Sequence, residues 1–254
     1  MHIRPLGRTG LEVSVLGFGA FKIGRNRGIK YQQGYELPDD ATVERLMATV
    51  RGLGISYIDT APAYGTSEER LGKVLAQHQH GEVISTKVGE TFRDGVSLYD
   101  YSPESTRASV ERSARRLGRD VLDVVLVHSD GNDLPIQDAT GVVETLLALK
   151  AEGRVRAVGF SGKTTEGAFR ALEWADVLMV EFHIEDPSHE EVIGEAHNRG
   201  IGVVVKKGLA SGQLPAAEAI GFVLAHPGVS SLIVGSLDAL HLAENAEAAK
   251  RATA

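Results

Sequence analysis

The sequence contains no cysteine, and this absence excludes disulfides, thiol nucleophiles and cysteine-ligated metal sites. It also lacks a long apolar run. No stretch reaches the roughly 18 apolar residues that a membrane-spanning helix needs, and the opening residues MHIRPLGRTG carry no apolar segment of the kind found in signal peptides. We therefore expect a cytoplasmic protein with no membrane partner.

Positive charge is also scarce, since 27 Lys and Arg residues against 34 Asp and Glu residues give a formal net charge of -7. No stripe of basic residues stands out against this balance, so we expect no nucleic-acid partner. The share of hydrophobic residues (43%) and of charged residues (24%) is that of an ordinary globular protein. At 254 residues the chain has the usual length of one (β/α)8 barrel, and we expect a single domain over residues 1–254.

Short apolar segments rich in β-branched residues alternate along the chain with segments of helical period. The predicted strands are 15–18, 56–58, 83–86, 121–127, 155–160, 175–180, 201–205 and 231–234. Strands that alternate with helices pair in parallel, and runs such as VLDVVLV are apolar on both faces, as in a parallel sheet covered on both sides. This pattern favours a (β/α)8 TIM barrel, and a doubly wound open sheet is the alternative.

Start and stop signals for helices support this alternation. The clearest is Ser102-Pro103, which opens a segment of helical period that ends at Leu117-Gly118. Similar signals predict helices near residues 40–53, 68–77, 140–151, 166–173, 189–198, 216–225 and 237–249. The N-terminal segment HIRPLGRTGLEV is predicted to form a short β-hairpin, with Thr9-Gly10 in its turn, before the first barrel strand.

Polar side chains follow several of the predicted strands, where a (β/α)8 barrel carries its working residues. They are Asp59, Tyr64, Lys87 and His128. Each alone has a structural explanation: a turn or capping aspartate, a packed tyrosine, a lysine that needs a carboxylate partner, and a hydrogen-bonded histidine. Asp59 is the available partner for Lys87, because the two follow neighbouring strands.

Together these four side chains suggest acid catalysis. A phenol with a pKa of about 10 is a poor acid at neutral pH unless its anion is stabilised. Lys87 would stabilise the anion of Tyr64, Asp59 would keep Lys87 charged, and His128 would orient a carbonyl oxygen or share its proton. Such a site stabilises an alkoxide while a hydride arrives. Since no side chain supplies hydride, a reduced nicotinamide or flavin is needed.

Several segments carry a resemblance to a known family across nearly the whole chain. They are LGRTGLEVSVLGFGA, YIDTAPAYG, STKVG, SVERSARRLGRDVLDVVLVH, GRVRAVGFSG and IVGSLDALHLAEN. The sequence resembles the aldo-keto reductases, and the Asp, Tyr, Lys and His tetrad of that family falls on Asp59, Tyr64, Lys87 and His128. The resemblance implies NAD(P)H-dependent interconversion of small aldehydes or ketones with alcohols on a (β/α)8 barrel, without metal or flavin.

The resemblance also implies contacts to the nicotinamide, and this chain departs from several of them. The family holds the carboxamide with a Ser-Asn pair and a Gln. Here Ser161 is present, but Gly162 occupies the Asn position and Met179 the Gln position. Gly19 and Ala20, in a segment that lacks the rest of a Rossmann fingerprint, suit a tight turn beside the cofactor at the barrel mouth.

After the seventh predicted strand the chain has Lys206-Lys207 where the family usually has an aromatic residue or Gly followed by Ser-Pro-Leu. Lys206 or His183 is a candidate for a substitute polar anchor. The two lysines are either a solvated pair or partners of the cofactor phosphates, since the mouth of such a barrel commonly binds phosphate.

The pyrophosphate and adenosine contacts of the family map onto Leu209, Ser211, Gly235, Ser236, Leu237, Glu244 and Asn245. Where NADPH-specific relatives place Lys or Arg against the 2′-phosphate, this chain has Gly235, Leu237 and His241, and a lone histidine is a weak phosphate partner at neutral pH. We predict NADPH, following the family, with NADH as the alternative.

The long segment 21–38, which includes Lys30 and Tyr31, is predicted to form a lid or a solvated flap. Phe21 and Phe182 are the aromatic candidates for the substrate pocket. Two other functions stay open. One is a protein that binds NADP(H) and serves a partner with little turnover, and the other is a Schiff-base aldolase or lyase that uses Lys87, Lys206 or Lys207.

Overall fold

The structure is a computed structural model that describes residues 1–29, 34–77 and 81–254. The predictions for Lys30 and Tyr31 therefore lie outside the described residues. The chain begins with the expected hairpin, whose strands are β1 (Ile3–Pro5) and β2 (Glu12–Ser14). Its connecting loop contains Gly10 at φ +73°, a left-handed conformation that glycine adopts without a steric penalty.

Eight parallel strands close into a barrel, as the sequence predicts. In chain order they are β3 (Leu16–Gly19), β4 (Tyr57–Asp59), β5 (Val83–Val88), β8 (Leu122–His128), β9 (Val155–Ser161), β10 (Val177–Glu181), β11 (Gly202–Lys206) and β12 (Ser231–Val234). Each strand pairs with the next, and β12 pairs with β3 to close the ring. The fold is the (β/α)8 TIM barrel, and the open-sheet alternative is wrong.

Helices follow the barrel strands and cover the outside of the barrel. They are α1 (Asp40–Gly52), α2 (Ser67–Gln77), α3 (Pro103–Leu117), α4 (Asp133–Ala139), α5 (Val142–Ala151), α6 (Thr165–Ala171), α7 (Glu190–Asn198), α8 (Ala216–Ala225) and α9 (Ala239–Ala252). The start of α3 has the expected cap, because Ser102 accepts a hydrogen bond from the Ser105 amide and Pro103 takes the first turn. None of the helices in the described ranges is long and apolar enough to cross a membrane.

Several elements were not predicted from the sequence. They include helix α4, the short 3-10 helices and a hairpin of β6 (Glu90–Arg93) and β7 (Val96–Tyr99) that follows β5. The hairpin turn holds Asp94 at φ +52° and Gly95 at φ +86°, and a two-residue turn with positive φ at both positions matches the twist of antiparallel strands. This hairpin places Glu90 beside the end of β8, which matters for the site.

The barrel has two apolar layers. The larger lies between the strands and the helices, and the smaller fills the barrel interior with alternate residues of the strands, among them Tyr57, Leu126, Met179 and Val204. Leu6 of the N-terminal hairpin loop belongs to the interior layer and is fully buried at the amino end of β11. The hairpin therefore closes one end of the barrel, and the carboxyl ends of the strands form its mouth.

Candidate active site

The mouth of the barrel collects polar side chains from several strands. Asp59, Lys87, His128, Ser161 and Lys206 stand at or near the carboxyl ends of their strands. They share the two-residue period of the interior layer, so their side chains belong to the inner face of the barrel. The inward-facing positions of the strands are therefore apolar in the middle of the barrel and polar at its mouth.

Asp59 and Lys87 form a buried ion pair. Lys87 Nζ donates to both carboxylate oxygens of Asp59, at 2.7 and 2.8 Å, and to the Thr60 carbonyl oxygen at 2.9 Å. Ser85 Oγ donates to the same carboxylate at 2.8 Å. Lys87 is only 1% exposed and Asp59 only 4%. Burial lowers the pKa of Lys87, and the Asp59 carboxylate opposes that shift.

Tyr64 lies directly over this pair. A short 3-10 helix, Pro62–Tyr64, follows β4 and brings the phenol hydroxyl to 3.4 Å from Asp59 Oδ2. Lys87 Nζ lies 4.6 Å from the centre of the Tyr64 ring, a distance at which an ammonium is attracted to the ring face. The structure therefore brings Asp59, Tyr64 and Lys87 together, as the sequence reasoning requires.

His128 completes the group from the end of β8. Its ring lies edge-on to Tyr64, with ring centres 6.2 Å apart. Its Nδ1 is 2.8 Å from Glu90 Oε2, and Glu90 also accepts a 2.6 Å hydrogen bond from Ser97 Oγ. With Nδ1 directed at Glu90, Nε2 is the ring nitrogen that is left for a ligand.

Glu90 is a residue of the site that the sequence reasoning missed. Burial alone would raise the pKa of Glu90, but His128, Ser97 and Arg25 outweigh burial and hold that pKa at about 2. Burial lowers the pKa of His128, and Glu90 opposes this shift. The only signal in the sequence is a carboxylate three residues after Lys87. Its contact with His128 depends on the unpredicted β6–β7 hairpin.

The Glu90 carboxylate should make the fold sensitive to acid. A carboxyl group whose pKa is lowered by folding stabilises the protein above its unfolded pKa of 4.5, and this stabilisation is lost as pH falls towards 2. Between these pH values we expect the wild-type free energy of unfolding to fall by about 2 kcal/mol more than that of a Glu90→Gln variant. Urea titrations at several pH values measure this, and parallel curves for the two proteins would contradict it.

Lys206 reaches across the mouth from the end of β11. Its Nζ donates to Ser161 Oγ at 3.0 Å and to the Gly162 carbonyl oxygen at 2.7 Å. Burial, then the charges of Lys207 and Lys87, lower the pKa of Lys206 to about 7. Lys207 instead pairs with Glu181 and is exposed. Only the first of the two lysines therefore faces the mouth.

The two altered carboxamide anchors have a packing explanation. Met179 is 1% exposed within the apolar interior layer. At Gly162, a Cβ atom would lie 2.6 Å from a ring carbon of Phe160 and 2.8 Å from a carboxylate oxygen of Asp133. The space that an Asn side chain would occupy is therefore already filled.

A Gly162→Asn variant should lose stability and gain no cofactor affinity. Forcing a side chain into a filled site costs about 1–3 kcal/mol, which urea denaturation measures. A matched control is Gly52→Asn at the end of α1, where a Cβ atom meets nothing within 4 Å and the expected change is within about 0.5 kcal/mol. Unchanged stability together with tighter cofactor binding in Gly162→Asn would contradict this explanation.

The loops after β11 and β12 suit an anionic ligand. After β11, three non-glycine residues, Lys207, Ala210 and Ser211, hold positive φ, and such strained backbone is concentrated at functional sites. After β12, the loop that contains Gly235 leads into α9, whose amino end is capped by the Asp238 carboxylate. In (β/α)8 barrels these two loops commonly form a phosphate site, so we expect the pyrophosphate of a dinucleotide at these loops.

The remaining residues predicted to contact the cofactor are distributed around these loops. Leu209 and Ser211 lie after β11, and Gly235, Ser236 and Leu237 lie between β12 and α9. His241, Glu244 and Asn245 lie on the first turns of α9, where Asn245 is buried and the other two are exposed. Gly19 ends β3 and Ala20 begins the short 3-10 helix that follows it, and a Cβ on Gly235 would lie 3.2 Å from the Gly19 carbonyl oxygen.

The two aromatic candidates for the substrate pocket have different positions. Phe21 packs edge-on against Tyr64, with ring centres 5.1 Å apart. Phe182 is 2% exposed and packs against Phe222 of α8 at 5.1 Å. The structure therefore places Phe21 at the mouth and Phe182 in the layer between barrel and helices.

Part of the long segment after β3 is fixed over the same side of the mouth. The Arg25 guanidinium lies 3.6 Å from the centre of the Phe92 ring and donates to the Ala63 carbonyl oxygen at 3.0 Å. The Tyr35 hydroxyl donates to the Arg25 carbonyl oxygen. Residues on both sides of the undescribed stretch 30–33 are thus joined to the loop that carries Tyr64.

Glu181, His183 and Asp186 lie close enough together, after β10, to share a metal ion. Glu181 already pairs with the Lys207 ammonium, and His183 Nε2 lies 3.6 Å from the same carboxylate. A cation at this place would compete with Lys207 for Glu181.

Comparisons with known proteins agree with this geometry. The profile of the Aldo/keto reductase family matches residues 15–221. L-galactose dehydrogenase of Arabidopsis thaliana is 31% identical over 229 residues, which cover 84% of this chain and 67% of that protein. The NADH-specific methylglyoxal reductase of Escherichia coli is 29% identical over 226 residues, covering 83% of this chain and 68% of that protein.

The barrel also matches solved structures closely. A crystal structure from Pseudomonas aeruginosa that is assigned to the aldo-keto reductases superposes with a TM-score of 0.92 at 47% identity, covering 99% of this chain and 95% of that one. The family profile spans more than half of the chain, and it includes all four strand-end residues first singled out. This chain therefore belongs to the aldo/keto reductase family and is an NAD(P)H-dependent oxidoreductase.

Proposed function

We propose that the chain reduces small aldehydes or ketones to alcohols, with Tyr64 as the general acid and NADPH as the hydride donor. The observation that carries this proposal is the stack of Tyr64 over the buried Lys87–Asp59 pair. The bound nicotinamide supplies the hydride, and the side chains at the mouth handle the proton.

Lys87 has the position to make Tyr64 a stronger acid. When the phenol gives its proton to the carbonyl oxygen of the substrate, negative charge develops on Tyr64 within reach of the Lys87 ammonium. Charge stabilisation of this kind is strong in a site with little water. Asp59 holds the ammonium in place through two hydrogen bonds, and it also keeps Lys87 charged against the cost of burial.

His128 has the position to orient the substrate. The Glu90 carboxylate lies 2.8 Å from Nδ1 of the ring, and a carboxylate beside one ring nitrogen leaves the other nitrogen for the substrate. The proposed role of His128 is to hold the carbonyl oxygen near the Tyr64 hydroxyl, and Glu90 acts as a positioning residue.

The proposed cofactor site joins Ser161 to the two loops that fit a pyrophosphate. Its proposed members on those loops and on α9 are Leu209, Ser211, Gly235, Ser236, Leu237, Glu244 and Asn245. NADPH follows from the family. NADH is the alternative, because residues 235–245 contain no Lys or Arg and His241 is paired with Asp238 at 3.8 Å.

The decisive experiment follows a carbonyl and a cofactor together. The purified chain is given NADPH or NADH in turn with a panel of small aldehydes and ketones, and loss of the reduced nicotinamide absorbance is recorded. With a cofactor deuterated at the transferable position, mass spectrometry should find deuterium on the carbon of the alcohol. The cofactor that supports faster turnover identifies the donor.

Two results would lead away from reduction. Tight cofactor binding by calorimetry without turnover on any carbonyl would favour a protein that binds the cofactor and serves a partner. Absence of both binding and turnover would overturn the proposed cofactor site as well.

A further inference from the structure

Lys206 has no role in the reduction proposed above, although it faces the same mouth. It is half-buried at the end of β11. Its charge contributes to lowering the pKa of His128, and the charge of Lys87 contributes to lowering the pKa of Lys206. We infer that Lys206 is a second reactive group at the mouth, an amine that forms reversible imines with small aldehydes.

The hydrogen bonds of Lys206 suit a neutral amine. Its Nζ donates to Ser161 Oγ and to the Gly162 carbonyl oxygen. Both acceptors are neutral oxygens, whereas Lys87 at the same mouth is held by a carboxylate. A neutral amine has two N–H hydrogens, which match these two acceptors and leave its lone pair available for attack on a carbonyl carbon.

The carboxylates that could keep Lys206 protonated are already bonded to other groups. Glu181 pairs with the Lys207 ammonium. Asp133 accepts hydrogen bonds from Ser129 and from the backbone amides of Lys163 and Thr164. The titratable groups that act on Lys206, or on which it acts, are Lys87, His128, Asp133, Glu181, His189 and Lys207.

The positive neighbours and the burial act in the same direction. Burial and the charges of Lys207 and Lys87 lower the pKa of Lys206 to about 7, so about half of the amine is neutral at neutral pH. Lysines activated for imine formation are commonly desolvated or placed next to another cation. Lys206 meets both conditions.

The imine reaction balances without any oxidant or reductant. The Lys206 nitrogen lone pair forms a bond to the aldehyde carbon, and the C=O π electrons move to oxygen, which takes one of the two amine protons. The C–O bond then breaks as the hydroxyl leaves with the second amine proton as water, which leaves a C=N bond, and hydrolysis reverses every step. The substrate class is the small unhindered aldehydes.

Reductive trapping tests the inference without cofactor or turnover. The full chain is incubated at neutral pH with a limiting amount of propanal and sodium cyanoborohydride, which reduces an imine to a stable secondary amine. Peptide mass spectrometry then gives the labelling rate at each lysine. Lys206 should be labelled at least about 10-fold faster than Lys207 and Lys73, whose side chains are 46% and 66% exposed.

The pH dependence of labelling supplies a second measurement. Labelling of Lys206 should reach half of its maximum at about pH 7. A Lys206→Met variant should lose the fast label, and a variant at the exposed Lys73, Lys73→Met, should retain it. If the first variant fails to fold, the site-resolved rates in the wild type still decide.

Labelling of Lys206 at or below the rate of Lys73 would overturn the inference and would leave the proposed reduction untouched. Conversely, fast labelling in a protein that turns over no carbonyl with NADPH or NADH would support the imine and contradict the reduction. The two proposals therefore fail separately.

Discussion

A Tyr64→Phe variant is expected to lose turnover by about 10²- to 10⁴-fold, the usual contribution of a general acid. The substitution removes only the hydroxyl, so the edge-on contact with Phe21 and the ring beneath which Lys87 lies are retained. The loss should therefore appear in kcat, while cofactor binding and the melting temperature stay close to those of the wild type. Steady-state kinetics and calorimetry on the same preparations measure all three.

A second tyrosine provides the matched control. Tyr99 lies on the β6–β7 hairpin and is 42% exposed, so Tyr99→Phe makes the same chemical change away from the Lys87–Asp59 pair. Because the Tyr99 hydroxyl interacts with Glu90 and Ser97 and not with Lys87 or Asp59, the kcat of Tyr99→Phe should fall far less than that of Tyr64→Phe. A Tyr64→Phe protein that kept most of its turnover would assign the proton to another group.

A Lys87→Met variant is expected to destabilise the fold by about 3–5 kcal/mol. Removal of the ammonium leaves the Asp59 carboxylate buried at 4% exposure without its countercharge, and an uncompensated buried charge is among the most damaging changes a fold can suffer. Urea denaturation at neutral pH gives the difference in unfolding free energy. Turnover should also be lost in whatever fraction folds.

Two controls test whether the loss of stability in Lys87→Met comes from the buried unpaired charge rather than from the loss of a lysine as such. Lys73 pairs with Asp40 at 2.9 Å on the surface, and Lys73→Met should cost less than about 1 kcal/mol. Adding Asp59→Asn to Lys87→Met should restore part of the lost stability, because no unpaired charge is then left in the barrel. Equal losses for Lys87→Met and Lys73→Met would contradict the proposed importance of the buried pair.

The barrel was predictable because its signals are local and repeated. Each predicted strand overlaps a barrel strand, as segment 155–160 does with Val155–Ser161. Parallel strands place their carboxyl ends at one mouth, and for this reason the sequence predicts that Asp59 and Lys87 lie close together. The catalytic roles of Asp59, Tyr64, Lys87 and His128 stay predictions that the kinetic variants test.

What the sequence did not reveal depends on less regular signals. The β6–β7 hairpin consists of short strands joined by Asp94-Gly95, and helix α4 is only seven residues long with Pro135 inside it. Without the hairpin, nothing in the sequence brings Glu90 to His128. Phe182 shows a simpler oversight: Glu181 has the inward period of β10, so the residue after it points out towards α8.

At Gly162, putting back the Asn of the family would not restore its contact with the cofactor. Sequence comparison registers only that Asn has been replaced by Gly. The structure adds that Phe160 and Asp133 have taken the space. Part of this compensation comes from Asp133, which is distant from Gly162 in the chain, so a single sequence does not reveal it.

Among the described residues, the N-terminal hairpin closes the barrel at the amino ends of its strands, because Leu6 and its neighbours fill the interior there. In the proposed reaction, substrate, product and the proton returned to Tyr64 would therefore all pass through the mouth. Because product release and reprotonation of Tyr64 would use the same passage, the turnover rate should depend on solvent viscosity as well as on pH.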